Sequence, residues 1–394
     1  MRFISLLVLI FVIALPVQAE WRGHVSIESR QFLETGDQGQ DKSQNSLKVE
    51  PEYFYQGEES LFTLQFMART DAMDDNRTHA DIRELSWLTY GDDWEFKVGI
   101  SKVFWGVAET QHLVDIINQT DSLENIDAED KLGQPMLALT LMRDWGNIDF
   151  YLLPYFRERQ FAGVEGRFRA PYLIDTDYTT YASGDEEKHL DSAVRWSHTL
   201  GDWDVGLSHF SGTSRAPIFQ PMVLGSNVIL APHYTTIDQT GLDIQATLEN
   251  WLWKLEWVSN SGFHHRRYTA AVFGFEYSFY DLAESGIDLG LIVEYQYDDR
   301  GTDLAGTPVL DNVVIGSRLA FNDEQSSEVL IGLGINEASN QFWNIEASRR
   351  IGDEWKVTLE ARILSQIDES TPTASPFYAI RNDSFIMLEL ARYF

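Results

Sequence analysis

The sequence contains no cysteine, few basic residues and only one long apolar run. The absence of cysteine excludes disulfides, thiol catalysis and cysteine-ligated metal sites. Its 30 Lys and Arg residues stand against 61 Asp and Glu residues, which gives a net charge of −31. A chain this acidic lacks the basic surface that nucleic-acid binding requires, so no nucleic-acid partner is expected.

The one long apolar run lies at the amino terminus. Arg2 precedes an apolar stretch over residues 4–15, and the small-residue sequence "VQA" ends just before Glu20. These are the three parts of a secretory signal peptide, so we predict a leader of residues 1–19 and an exported domain of residues 20–394. No other stretch approaches the roughly 20 apolar residues that a membrane-spanning helix needs.

Apolar and polar residues alternate through much of the remaining chain. In residues 355–363, Trp, Val, Leu, Ala and Ile alternate with Lys, Thr, Glu and Arg, and residues 94–101 show the same pattern. Successive side chains of a strand point to opposite faces, so each segment predicts a strand with one apolar and one polar face. A secreted β-sandwich also alternates in this way. The polar faces here carry charges of both signs, and 13% of the residues are aromatic, which favours a membrane barrel with a wet interior.

The links between the predicted strands are alternately short and long. Turns such as "GDD", "LGD" and "GDE" are followed at once by Trp94, Trp203 and Trp355, whereas residues 103–133 and 158–188 form long links. Short periplasmic turns and longer outer loops are typical of outer-membrane barrels, and Trp favours the headgroup level. We therefore predict an all-β fold, a transmembrane antiparallel β-barrel of about 18 strands, with 16 as the alternative count.

The final residues, "SFIMLELARYF", form an alternating strand that ends in Phe394. This ending resembles the signal by which Gram-negative outer-membrane barrels are passed to their assembly machinery. Arg392 stands where that pattern prefers an aromatic residue, and its long side chain could reach toward the interface.

A second resemblance covers about forty residues from Gly91 onward. A Gly-Asp-Trp hairpin, a Trp-Gly pair and an Asn-x-x-Asp motif are similar to those of an uncharacterised family of porin-like outer-membrane proteins. The matching residues within and just before the long link are Gly99, Trp105, Gly106, Asn118 and Asp121. This chain lacks the Gly-Arg and Asn-Pro pairs usual in that family. The resemblance implies an outer-membrane protein and does not fix a substrate.

The link over residues 103–133 is too long and too apolar to be a bare outer loop, so we expect it to fold inward and narrow the lumen. Its acids would then lie near the constriction: Asp115, Asp121, Glu124, Asp127, Glu129 and Asp130. Cations that could face them are Lys97, Arg157, Arg159, Arg195, Lys254 and Arg318. Opposed charges of this kind sort ions and orient polar solutes in water-filled pores. The alternative is a solvated extracellular loop.

These features predict an outer-membrane channel for small polar solutes and ions, with a mild cation preference because acid exceeds base. One alternative is a plugged surface-binding or polysaccharide-handling barrel, in which aromatic residues of the outer loops would stack on sugars. The aromatic candidates are Tyr172, Tyr178, Tyr181, Phe219 and Tyr234. A second alternative is a barrel hydrolase, but the chain has no hydrolase, zinc-protease, phosphate-loop or dinucleotide motif.

The expected partners are outer-membrane lipid, lipopolysaccharide, the barrel assembly machinery and small polar solutes. A homo-oligomer is compatible with the sequence, although no strand set marks an interface. The acidic segments 71–76, 184–188 and 298–303 would lie outside, in solvent or holding divalent cations bridged to lipopolysaccharide. The basic "HHRR" at 264–267 would lie at an outer hairpin, where it could bind lipid phosphates. None has the ligand spacing of a metal loop, so no metal and no cofactor are predicted.

Overall fold

The computed structural model describes residues 19–169, 171–263, 267–300, 311–367 and 377–394. The predicted leader, most of the "HHRR" segment and residues 301–303 of the third acidic segment lie outside the described residues. Within the described residues, no helix is long and apolar enough to cross a membrane.

Eighteen strands form one closed antiparallel sheet. In the first half of the barrel they are β1 (Ala19–Phe32), β2 (Ser43–Gln56), β3 (Ser60–Asp71), β4 (His79–Tyr90), β5 (Trp94–Ser101), β6 (Gln134–Arg143), β7 (Gly146–Leu153), β9 (Asp191–Leu200) and β10 (Trp203–Thr213). The second half comprises β13 (Thr236–Leu248), β14 (Trp251–Ser261), β15 (Arg267–Phe279), β16 (Asp288–Asp298), β17 (Asn312–Ala320), β18 (Glu328–Asn336), β19 (Gln341–Ile351), β20 (Trp355–Ser365) and β21 (Phe385–Tyr393). Each pairs with its neighbours along the chain, and β1 pairs with β21 to close the ring. The predicted barrel is confirmed, with 18 strands and not 16.

Each strand turns one face outward and one inward, as the alternation predicts. On β16 the outward side chains include Leu291 and Tyr295, which are 41% and 45% exposed. Glu294 between them points inward and is fully buried. The exterior of the barrel is therefore apolar and the interior carries the charges, which is the reverse of a water-soluble globular protein.

The eight short links lie at one end of the barrel, and the long links lie at the other. Trp94, Trp203 and Trp355 each begin the strand after such a turn and are 38%, 46% and 40% exposed. Two links at the end of the long loops are exceptions, since residues 337–340 and the five residues between Ser261 and Arg267 are equally short. The repeated turn of the sequence thus corresponds, in three hairpins, to a strand that begins with an outward-facing Trp.

At the end of the chain, Phe394 exchanges two backbone hydrogen bonds with Gly23, at 3.1 and 3.0 Å. Arg392, on the apolar outer face, binds Glu354 at 2.9 Å and lies over the ring of Trp355. A neighbouring acid and an indole ring therefore accommodate the charge that departs from the usual terminal pattern.

One irregularity places an extra charge inside the barrel. The pairing of β3 with β4 shifts register between Gln65 and Phe66, so that Arg83 on β4 has no partner across the ladder. A β-bulge re-aims the side chain of its extra residue. Arg83 is consequently turned inward and buried, next to Glu84, which the simple alternation would have placed on the opposite face.

The sequence did not predict a small sheet that stands on the long-loop end. It consists of β8 (Thr180–Tyr181), β11 (Ile218–Leu224) and β12 (Asn227–Tyr234), which come from the links β7–β9 and β10–β13. Tyr234 is 1% exposed there and packs against Phe156 with Tyr181 stacked on it. Of the five aromatics considered as sugar platforms, Tyr234 is buried in packing and therefore not available for that role.

At Gly99 the strands β4 and β5 approach so closely that only glycine fits. A substitution there tests the register of these two strands. The φ of Gly99 is +133°, and a Cβ there would lie 2.1 Å from the carbonyl oxygen of Leu85 on β4. We expect Gly99→Ala to lower the free energy of unfolding by about 1–3 kcal/mol, because both the backbone strain and the clash must be accommodated. Urea titration of the refolded protein in detergent measures this change in the free energy of unfolding.

Gly332→Ala is the matched control, since the nearest atom to a Cβ on β18 is 3.9 Å away. Equal urea midpoints for the two variants would show that the β4–β5 register is not the one described.

Candidate functional site

Residues 102–133, here called the inward loop, leave β5 at the long-loop end and fold into the barrel before returning to β6. Asn118 closes the neck of the loop. Its side-chain oxygen accepts from the backbone of Val103 at 2.8 Å, and its amide donates to the carbonyls of Ser101 and Leu132, both at 2.9 Å. The expected inward fold is therefore present, and the Asn of the Asn-x-x-Asp motif holds its two ends together.

On one side, the inward loop is anchored by two glutamates of the barrel wall. The carboxylate of Glu256 on β14 accepts backbone hydrogen bonds from Val107, Ala108 and Val114 at 2.8, 2.9 and 3.2 Å. Glu294 on β16 accepts from the backbone of residues 109 and 110 at 2.6 and 3.0 Å. Both carboxylates are fully buried. Several N–H donors on one buried carboxylate replace the water it has lost.

Gly106 permits this approach. Its φ is +141°, and a Cβ at this position would lie 2.9 Å from Glu256 Oε1 and 3.1 Å from His112 Nδ1. Trp105 beside it is 4% exposed and packs edge-on against Tyr151 of β7. The Trp-Gly pair therefore combines an apolar anchor with a backbone that can pass close to a carboxylate.

On the opposite side of the ring, arginines hold the acids of the inward loop. Arg69 on β3 binds both oxygens of Glu124 at 2.9 and 2.6 Å, and Arg83 on β4 binds Asp121 at 2.6 Å. Burial alone would raise the pKa of Glu124, but the charge and hydrogen bonds of Arg69 outweigh it and hold that pKa below its usual value. Arg77 adds a hydrogen bond to the carbonyl of Leu123 at 2.8 Å.

Further ion pairs fasten the inward loop to the rest of the ring. Asp127 binds Arg362 of β20 at 2.8 Å, and Glu109 binds Lys254 of β14 at 3.2 Å and Arg318 of β17. Burial would raise the pKa of Glu109, but these two cations lower it overall. With the contacts above, the inward loop reaches from one wall of the barrel to the opposite wall.

An apolar cluster fills the space between the inward loop and strands β7 to β14. Val114 and Ile117 are fully buried there against Phe210, Ile237 and Val258. Burial of such side chains stabilises the docked loop, at about 1.5–3 kcal/mol for each large one. The loop is thus packed on one wall through apolar side chains and tied to the other walls through charges.

The candidate residues from the sequence fall into three groups. Asp121, Glu124 and Asp127 pair with wall arginines that the sequence analysis did not name. Asp115 and Glu129 pair within the loop, with Lys131 at 3.2 Å and His112 at 3.1 Å, and Asp130 is solvent-exposed. The remaining candidates are the cations Lys97, Arg157, Arg159, Arg195, Lys254 and Arg318.

Five of those six cations contact residues of the inward loop, through ion pairs, hydrogen bonds or an aromatic ring. Lys254 and Arg318 bind Glu109, and Arg159 binds Gln119 at 3.1 Å. The other two contact the loop through its edges: Arg157 donates to the carbonyl of Gly133, and Arg195, which pairs with Asp243, lies 5.4 Å from the ring of Trp105. Lys97 makes one polar side-chain contact among the residues that the structure describes, a long one to Ser101 at 3.4 Å.

Residues 154–169, here called the outer segment, cross the mouth above the inward loop. The backbone of Gly163 donates to the carboxylate of Asp74 at 3.1 Å. Arg167 binds Asp383 at 2.7 Å and donates to the carbonyls of Glu34 and Asp41 in the β1–β2 link. The outer segment therefore joins the β7 side of the mouth to the β21 and β1 side.

A cavity of about 480 Å³ lies between the outer segment and the inward loop. Its lining includes His79 and Asp121 on the inner side and Tyr155, Gln160 and Glu187 on the outer side. A volume of this size is in the range of small-molecule sites. The cavity is therefore large enough to hold a small solute.

No protein-family model matches the sequence, and a search of curated proteins finds no match. Among solved structures, Wzi of Escherichia coli, described as an outer-membrane, carbohydrate-binding β-barrel involved in group 1 capsule assembly, is similar with a TM-score of 0.54 and 7% identity, over 96% of this chain and 84% of that chain. Variants of the Rh. blastica porin give a TM-score of 0.47 and 12% identity, over 95% of this chain and 100% of theirs. The likeness to Wzi shows the barrel fold alone.

The glutamate anchor can be tested by removing one carboxylate. We expect Glu256→Ala to release the inward loop, at a cost of about 3 kcal/mol to its docking, because three backbone donors lose their buried acceptor. Glu256→Gln, which retains one acceptor oxygen, should have a smaller effect. Limited proteolysis of residues 102–133 in the detergent-solubilised protein measures the release.

Glu328→Ala serves as the control, because this acid on β18 contacts Ser348 and not the inward loop. Protection of the loop that is equal in the Glu256 and Glu328 variants would contradict the anchoring role.

His112 makes the docking of the inward loop depend on pH. Burial alone would lower its pKa, but the carboxylates of Glu129, 3.1 Å from Nε2, and of Glu256, 3.9 Å from Nδ1, raise the pKa to about 10. Because this value lies above the ordinary 6.5, protonated His112 stabilises the docked loop fully below pH 6.5, and the stabilisation is lost as the pH rises through 10. We expect proteolysis of the loop to accelerate between about pH 7 and 10.

His112→Gln should flatten this pH profile while leaving the loop at least as susceptible as in the wild type at neutral pH. A profile that keeps its full slope in the variant would assign the dependence to another group.

Proposed function

We propose that this protein is an outer-membrane channel of a Gram-negative bacterium that admits small polar solutes, with the inward loop as its constriction. The apolar exterior and the Trp residues at the strand starts suit insertion in a bilayer. The predicted leader, if cleaved, would export the chain, and Phe394 would direct it to the assembly machinery.

The inward loop is the observation that carries the proposal. It lies inside the barrel, and ion pairs with Arg69, Arg83 and Arg362 fix it at defined points of the wall. A constriction lined by fixed charges of both signs orients polar solutes and sorts ions. Its apolar residues pack against one wall, which leaves the charged edge for solutes.

The charged edge also supports the expected cation preference. Glu129 and Asp130 are the exposed acids of the inward loop, whereas its other acids are buried or compensated by cations of the wall. Glu129 pairs with His112, so Asp130 is the exposed acid for which the described residues show no ion pair. Exposed carboxylates at a constriction lower the energy of a passing cation relative to an anion. A mild cation preference therefore remains our prediction.

A second candidate function is a plugged barrel that binds carbohydrate at its outer mouth. The specific observation in its favour is the cavity between the outer segment and the inward loop, where Tyr155 offers a ring and Gln160 and Glu187 offer polar groups. The barrel of similar fold, Wzi, is described as carbohydrate-binding, although the likeness extends only to the fold.

The hydrolase alternative gains no support from the residues described. Ser208 is buried and faces inward, whereas the neighbouring His209 is exposed on the outer face and contacts Thr240. These two side chains cannot form a nucleophile and base pair, since adjacent strand residues face opposite ways.

Planar-bilayer recordings of the refolded protein separate the candidates. We expect a small conductance with a reversal potential on the cation side in a salt gradient, and a conductance several-fold larger after deletion of residues 108–130. The increase follows because the deletion removes the part of the inward loop that crosses the lumen. Liposome swelling with neutral sugars gives an independent measure of flux.

The possible outcomes of the recordings distinguish the channel from the plugged barrel. A silent wild type whose deletion variant conducts would favour the plugged barrel, and silence in both would exclude a channel. Clear anion selectivity would contradict the role given to Glu129 and Asp130. A Glu328→Ala channel should conduct like the wild type.

A further inference from the structure

A histidine at the mouth of the barrel faces two acids of the inward loop. His79 begins β4, and its Nε2 lies 3.5 Å from Asp121 Oδ2 and 3.7 Å from Glu124 Oε1. The side chains of the two acids are 1% and 4% exposed. We propose that His79, Asp121 and Glu124 bind one divalent transition-metal ion of the Zn²⁺ class, which would fasten the inward loop to the barrel wall.

The spacing of the three ligand atoms suits such an ion. All three lie within 4.8 Å of one another. In a tetrahedral site with metal–ligand distances of about 2.0–2.2 Å, neighbouring ligand atoms are roughly 3.3–3.6 Å apart. The two distances from His79 are already close to this range, and the two carboxylates, no more than 4.8 Å apart, would move toward each other to bind the ion.

The orientation of the imidazole is the second argument. Nδ1 of His79 lies 2.8 Å from the carbonyl oxygen of Arg77, to which it can donate its proton. Nε2 is buried and has no hydrogen-bond partner among the described residues. A ring nitrogen fixed by a backbone carbonyl, with the other nitrogen free to ligate, is the usual arrangement of a metal-binding histidine.

Two arginines already bind the carboxylates, and the site has to accommodate them. Arg83 binds Asp121 Oδ2, and Arg69 binds both oxygens of Glu124. Each carboxylate oxygen has two lone pairs, so the arginines can stay as outer partners that orient the ligands. Their charge is shared with other acids, because Arg69 also binds Glu28 at 3.1 Å and Arg83 also lies 3.2 Å from Asp81.

The remaining coordination position faces the cavity. His79 and Asp121 both belong to its lining, so a water molecule or a solute oxygen can supply the fourth ligand. One imidazole and two carboxylates suit Zn²⁺ or a similar ion, whereas Ca²⁺ and Mg²⁺ prefer oxygen ligands alone. An ion there would tie the wall strand β4 to the inward loop at the floor of the cavity.

Calorimetric titration of the tag-free, full-length protein in detergent, after removal of metals with EDTA, tests the site. We expect one Zn²⁺ per chain in the wild type and loss of that binding step in His79→Ala and His79→Gln. His209→Ala, which removes an exposed histidine of the outer face, should bind as the wild type does. Co²⁺ should give the intense visible bands of a four- or five-coordinate ion, absent from His79→Gln.

Limited proteolysis supplies a readout of the loop itself. Zn²⁺ should slow cleavage within residues 102–133 in the wild type and leave His79→Gln unaffected. Absence of a one-ion step in the wild type, or equal binding by His79→Gln, would overturn the proposal and leave His79 as a protonated bridge between two acids. None of these measurements depends on conductance. The metal site can therefore be disproved while the channel proposal holds, and the channel proposal can be disproved while the metal site holds.

Discussion

Each buried charge inside the barrel needs a partner, and the inward loop supplies many of them. Without the loop, Glu256 and Glu294 on one side and Arg69 and Arg83 on the other would have to be solvated by water. Buried pairs of this kind add little net stability compared with apolar packing, but an uncompensated member is costly. The charges therefore act mainly on position. They favour the one docked arrangement of the inward loop in which the charged groups of each wall pair with groups of the loop.

The glutamate wall and the arginine wall, which face each other, bind different groups of the inward loop. The glutamate wall binds backbone N–H groups, so it selects a loop conformation, with glycine at 106, more than particular side chains. The arginine wall binds carboxylates, so it selects Asp121 and Glu124 by charge. This difference explains why the Trp-Gly pair and the Asn-x-x-Asp motif both lie in the same loop. The Trp-Gly pair gives the backbone the conformation that the glutamate wall binds. The Asn-x-x-Asp motif closes the neck of the loop through Asn118 and places Asp121 against the arginine wall.

The fold could be predicted from the sequence because its signals are local, whereas the partners in the site depend on closure of the ring. Alternation, turn composition and link length each involve residues a few positions apart, and together they predicted a barrel of about 18 strands, the number observed. Arg69, Glu256 and Glu294 look like any polar residue on an inward face, and nothing in their neighbourhood along the chain marks them as anchors. Arg83 was missed for another reason, since only the β-bulge turns it inward. The three-stranded outer sheet was missed because two separate links must meet before its short strands can pair.

Anchoring at opposite walls means that the inward loop cannot open as a simple hinge. Its two ends enter side by side, held by Asn118, so a swing away from the arginine wall would still leave the backbone bound to Glu256. The outer segment adds a further restraint, because Arg159 binds Gln119 of the loop while Arg167 is held at the far side of the mouth. Displacement of the inward loop therefore requires that contacts break on several walls together, so the effects of removing them are not expected to be additive. His112 pairs with Glu129 of the inward loop and faces Glu256, so its charge adds to the Glu109–Lys254 pair on the glutamate wall, which Arg69 and Arg83 do not reach. Loss of a single contact therefore does not free the inward loop, because the anchors on the other walls still hold it.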